Sequence, residues 1–102
     1  MTENETVRYV RLDTDLVEVT LYGNASTGFR WINASKDDFD LVNVVPSRGY
    51  TPTELVGAGM DSTYVLKPKR EGELRLRLEY RRTWEKDAPP AQVHEEVIMV
   101  EK

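Results

Sequence analysis

Between Glu73 and Arg82 the chain reads ELRLRLEYRR, a pattern of period two. Leu74, Leu76, Leu78 and Tyr80 alternate with Arg75, Arg77 and Glu79. A helix would scatter those apolar residues over several faces, whereas a strand lines them on one, so this segment is a half-buried strand of an antiparallel sheet. The same alternation runs from Leu16 to Tyr22, with Val17, Val19 and Leu21 on one side and Glu18 and Thr20 on the other. Weaker versions occupy Phe29 to Asn33, Leu41 to Val45, Thr63 to Lys67 and Val93 to Val100. Turn-forming residues separate the runs: Gly23-Asn24, Pro46 to Gly49, Thr51-Pro52, Lys67-Pro68, Glu71-Gly72 and Ala88-Pro89-Pro90.

No stretch sustains a period of 3.6, and about seven short strands in roughly 100 residues predict an all-β chain, an immunoglobulin-like antiparallel β-sandwich. With 102 residues, folding can bury roughly 65% of the chain's surface. Residues 1–102 are therefore expected to form one domain with frayed ends. Cysteine is absent, so no inter-sheet disulfide supports the core.

The same inventory weighs against an enzyme. Without cysteine there is no thiolate nucleophile and no Cys-ligated metal, and His94 is the one histidine. His94 with Glu95 and Glu96, and the run Asp37, Asp38 and Asp40, read as solvated charge. No catalytic residue, metal or cofactor is expected. Arg75, Arg77, Arg81 and Arg82 lie near Tyr80 and Trp84, but the net charge is -4 and glutamates are interspersed, so a solvated outer face is favoured over a nucleic-acid site. No apolar run approaches the roughly 20 residues that span a bilayer, so no membrane partner is expected. No signal-peptide pattern opens the chain, so a cytosolic location is expected as written, or a secreted one if a leader has been removed. Charged edge strands predict a monomer.

Three connections have compositions that a bare turn does not need. In Asn24-Ala25-Ser26-Thr27-Gly28-Phe29, Gly28 permits a positive φ, and Asn24 and Ser26 can hydrogen-bond neighbouring backbone. The loop is either a plain turn or a rigid display; its Asn-Ala-Ser triplet is also a formal glycosylation sequon, a pattern common by chance. Leu55 to Asp61 carries Gly57-Ala58-Gly59-Met60, whose bare backbone a partner could approach, although a lone G-x-G outside a βα unit does not argue for a nucleotide. Arg81 to Lys86 carries Arg82-Thr83-Trp84, where the tryptophan either caps the core or anchors a partner. In a seven-stranded immunoglobulin-like sandwich these connections all fall at one end.

Asn24 to Phe29, Gly57-Ala58-Gly59 and Arg82-Thr83-Trp84, in this order and spacing, resemble the three signature loops of the chagasin family of cysteine-protease inhibitors, N-P-T-T-G followed by Tyr or Phe, G-x-G-G, and R-P-W. The resemblance covers about Val7 to Val100, and Trp31 and Tyr64 fall where the family tends to place aromatics. The departures are Ala25 for proline, Ser26 for threonine, Met60 for the last glycine and Thr83 for proline; losing both prolines removes some preorganisation.

The resemblance implies a reversible, tight-binding inhibitor of papain-like cysteine peptidases that presents the three loops as a wedge across the active-site cleft. Asn24, Ala25, Ser26, Thr27, Gly28 and Phe29 would enter the cleft, with Thr27 nearest the catalytic cysteine. Gly57, Ala58, Gly59 and Met60 would line one wall, and Arg82, Thr83 and Trp84 would grip the other. The alternative is a non-inhibitory immunoglobulin-like module that binds a protein or peptide, which the fold alone would support equally.

Overall fold

The computed structural model describes residues 7–24, 27–46, 60–85 and 87–102. Seven strands are formed among them: β1 (Val7–Arg11), β2 (Val17–Gly23), β3 (Phe29–Asn33), β4 (Phe39–Pro46), β5 (Met60–Pro68), β6 (Gly72–Arg82) and β7 (Gln92–Glu101). They make a four-stranded sheet in the order β1-β7-β6-β3 and a three-stranded sheet in the order β2-β5-β4. The two sheets face each other as an immunoglobulin-like sandwich. The alternation in β6 puts Leu74, Leu76, Leu78 and Tyr80 into the core, where they meet Val17 and Val19 of β2, Trp31, Phe39, Leu66 and Ile98.

Two features differ from the expected pattern. The strand β1 has no apolar stripe, because the half-buried positions of Val7–Arg11 are Arg8 and Val10 while Val7 and Tyr9 are exposed. It also runs parallel to β7, pairing Val7 with Val97 and Arg11 with Glu101, so the sandwich is not wholly antiparallel. The chain leaves β1 through a turn in which Asp13 takes φ 70, a conformation that aspartate tolerates better than most residues, and enters the opposite sheet at β2.

The second difference concerns His94 and Glu96, which are not simply solvated. Register in the β6–β7 ladder pairs Leu78 with His94 and Leu76 with Glu96, so both face the side of the sheet that carries the core leucines. Their polar groups are satisfied at the sandwich edge. His94 Nε2 lies 2.6 Å from Glu96 Oε2 and Arg8 Nε lies 2.8 Å from Glu96 Oε1. Arg8 Nη1 also donates to the Glu18 carbonyl of β2 at 2.9 Å, which ties the two sheets together. Glu95, on the other face, is exposed and accepts from Arg77 Nη1 at 2.5 Å.

Candidate functional site

The three unusual connections leave the sheets at one end. Gly23, the last residue of β2, pairs with Met60, the first of β5, and Phe29, the first of β3, pairs with Arg82, the last of β6. Asn24, Thr27, Gly28, Phe29, Met60, Arg82, Thr83 and Trp84 are therefore neighbours at one rim. Met60 belongs to β5 itself, where the sequence placed it in the preceding loop. Ala25, Ser26, Gly57, Ala58 and Gly59 lie outside the described residues.

Beneath this rim is an aromatic stack. The Phe29 and Tyr80 rings are stacked with centroids 5.2 Å apart, and Trp31 lies tilted against Tyr80 at 5.0 Å. The guanidinium carbon of Arg82 sits 4.7 Å above the Phe29 ring, a cation–π contact that orders the arginine. Gly23 lies against this stack: a Cβ there would be in ordinary contact, 3.4 Å from Tyr80 and 3.6 Å from Trp31. Each polar tip finds a partner, with Trp31 Nε1 donating to the Tyr22 carbonyl at 2.9 Å and the Asn24 N–H donating to the Tyr80 hydroxyl at 2.8 Å.

The first connection is held by its own threonine. Thr27 donates its N–H and its hydroxyl to the Asn24 carbonyl at 3.1 and 2.6 Å, leaving its side chain exposed at the tip. Gly28 follows at φ +86, in the left-handed region that glycine adopts without strain. In the third connection the Glu85 N–H donates to the Arg82 carbonyl at 3.2 Å, a turn with Thr83 and Trp84 at its centre. Trp84 is 65% exposed, yet its ring covers Gly28 closely enough that a Cβ there would meet it. It does not cap the core.

Behind the stack the sheets part into a cleft of about 480 Å³ between Phe29, Trp31 and Tyr80 on one side and Leu41, Val44, Met60 and Tyr64 on the other. Burial raises the Tyr64 pKa above the ordinary tyrosine value, with Tyr80 adding to the shift and Arg30 opposing it. Three arginines of β6 are engaged with carboxylates. Arg77 Nε meets Glu79 at 2.8 Å, Arg81 Nε meets the same carboxylate at 3.2 Å and Arg82 meets Glu85 at 3.3 Å. Two carboxylates of the acidic run are likewise tied, Asp38 to Arg70 at 2.9 Å and Asp40 to Lys69 at 3.8 Å. Tyr80 is the site residue that the sequence reading placed in the core stripe and beside the arginines but not at this edge. Its signal is that the last inward position of the β6 alternation is tyrosine, and a buried tyrosine hydroxyl needs a partner.

Residues 13–98 match the family described as Chagasin family peptidase inhibitor I42. The chain belongs to the chagasin family. Its members are peptidase inhibitors and are not themselves enzymes. Amoebiasin-2 of Entamoeba histolytica is 34% identical over 77 residues, an alignment that covers 74% of this chain and 63% of the relative, so the match spans less than two thirds of that protein's length. The crystal structure of the cysteine protease inhibitor EhICP2 from Entamoeba histolytica superposes with a TM-score of 0.67 at 24% identity, covering 97% of this chain and 99% of that one. Leishmania mexicana ICP superposes with a TM-score of 0.57 at 23% identity, covering 99% and 94% of the two chains. At that identity the superpositions speak for the shared sandwich fold of this chagasin-family chain.

Proposed function

We propose that this chagasin-family protein is a reversible, tight-binding inhibitor of papain-like cysteine peptidases, acting as a monomer whose three connections at one end of the sandwich enter the active-site cleft. The observation that carries the reading is the packing of Trp84 against Gly28, which brings the first and third connections together at one edge. A stiff edge of small residues fills a cleft without offering a carbonyl where a thiolate can attack productively, so the inhibitor blocks by occupancy and is not consumed. Thr27 at the exposed tip is the residue nearest the catalytic cysteine in this arrangement. Met60, with Gly57, Ala58 and Gly59, lines one wall, and Arg82 and Trp84 grip the other. An interface of about 800 Å² per partner is normal for such a complex, and a tryptophan beside an arginine is the composition of a binding hot spot.

The test is a progress curve of a papain-type peptidase on a fluorogenic peptide with rising amounts of the protein, followed by a gel of the incubated inhibitor. Sub-micromolar inhibition that reverses on dilution and leaves the chain intact is the expected result. Absence of inhibition across several papain-like enzymes would replace this reading with a non-inhibitory binding module.

A further inference from the structure

Arg30 sits opposite another cation. It follows Phe29 on β3, the edge strand of its sheet, and its direct partner in the β3–β6 ladder is Arg81. Residues opposed in an antiparallel ladder hold their Cβ atoms about 4.5–5.5 Å apart, and like charges there destabilise the pair. The carboxylates near it are engaged elsewhere: Glu79 binds Arg77 and Arg81, Glu85 binds Arg82, and Asp40, which lines the same groove, binds Lys69. Among the described residues Arg30 is exposed and enters no ion pair. Arg30 and Thr83 also line one groove, which runs from the third connection along the free edge of β3.

We propose that Arg30 is a charge-selective contact beside the loop edge, which engages a carboxylate on the rim of the peptidase cleft; this rests on the inhibitor reading above. A partner seated on Thr27, Arg82 and Trp84 meets the next residues along β3 and β6, and the exposed guanidinium there offers a planar fork that a carboxylate can accept bidentately. Arg81 directly opposite raises the local positive potential. The protein as a whole carries a net charge of -4, so an acidic partner is repelled at long range and attracted only in the orientation that brings its rim to Arg30. The contact thus selects among peptidases and fixes their approach.

The experiment measures association rate constants at low and high salt for two papain-like peptidases, one with an acidic and one with a basic cleft rim. The inhibitors are the wild type, Arg30→Gln and Arg30→Glu. The wild type should favour the acidic-rimmed enzyme, and Arg30→Glu should shift the ratio of rates by about tenfold toward the basic one at low salt. Salt should shrink the shift. Both variants should melt no lower than the wild type, because the like-charge pair with Arg81 is gone. An unchanged ratio in Arg30→Glu overturns the proposal while leaving inhibition intact. Failure of the wild type to inhibit either enzyme removes the inhibitor reading itself, and this contact with it.

Discussion

The ring of Trp84 lies over Gly28 so closely that a Cβ at position 28 would run into Cη2 and stand 3.1 Å from Cζ3. Two constraints therefore coincide on one glycine, the covering indole and a backbone φ of +86. Alanine satisfies neither. Gly28→Ala should lower stability by about 1–2 kcal/mol through the φ strain and push Trp84 off the edge. Its inhibition constant should rise more than the stability loss alone accounts for. Trp84 fluorescence, denaturant midpoint and inhibition constant measured together check this; an unmoved emission spectrum would show that the indole does not rest on Gly28.

Trp84→Ala separates binding from folding. The side chain is 65% exposed, so its removal should change the unfolding free energy by less than about 0.5 kcal/mol, as for most surface substitutions. As a binding anchor it should instead cost on the order of 2 kcal/mol, roughly thirtyfold in the inhibition constant. Titration against a papain-type peptidase beside a thermal melt gives both numbers, and an unchanged inhibition constant removes Trp84 from the interface.

Tyr80→Phe keeps the stack with Phe29 and Trp31 and deletes the hydroxyl that accepts the Asn24 N–H. A buried hydrogen bond of this kind contributes about 1 kcal/mol. The urea midpoint should fall accordingly, and exchange of the Asn24 amide should quicken while that of the β6 core amides changes only with global stability. Equal quickening throughout would mean that the hydroxyl serves the core and not the loop.

What the sequence made legible follows from where a single physical signal dominates. Alternation around Leu74 to Tyr80 and Val17 to Leu21 reports burial directly, so those strands and their inward faces were readable. Val7–Arg11 was not, because its inward positions are Arg8 and Val10 and pairing with β7, not an apolar stripe, makes it a strand. His94 and Glu96 read as solvated for the same reason: ladder register turns them inward, and their partner Arg8 is remote in the chain. Chain order was enough to gather Asn24, Thr27 to Phe29, Met60 and Arg82 to Trp84 at one end. Gly28 was legible as a positive-φ position, but the indole above it is a tertiary contact that no local pattern encodes.

Thr27→Arg tests entry of the first connection into the cleft. The residue is exposed at the tip, and its hydroxyl donates to the Asn24 carbonyl at 2.6 Å. A bulky charged side chain there should overfill the cleft at a cost of about 3 kcal/mol or more, upwards of about a hundredfold in the inhibition constant. Thr27→Val controls for the lost hydrogen bond, which alone contributes about 1 kcal/mol. Equal losses in the two variants would mean that loop order, and not occupancy of the cleft, is what Thr27 supplies.

Acid stability should carry the mark of Glu79. Its carboxylate accepts from Arg77 Nε at 2.8 Å and faces Arg81 Nε at 3.2 Å, and the hydrogen bond from Arg77, the largest cause, helped by the charges of both arginines, holds its pKa below the ordinary value of 4.5 despite opposing desolvation. In the unfolded chain the arginines are released and the carboxyl titrates at its ordinary value. A group whose folded pKa is the lower one stabilises the fold fully above the unfolded value, and that contribution declines as pH falls through the window between the two. Stability should thus decline as pH drops below about 4.5, the ordinary glutamate range, and Glu79→Gln should flatten that limb while lowering stability at neutral pH. Urea unfolding at several pH values from neutrality downward measures both. An acid limb of the same steepness in the variant would assign it to other carboxylates.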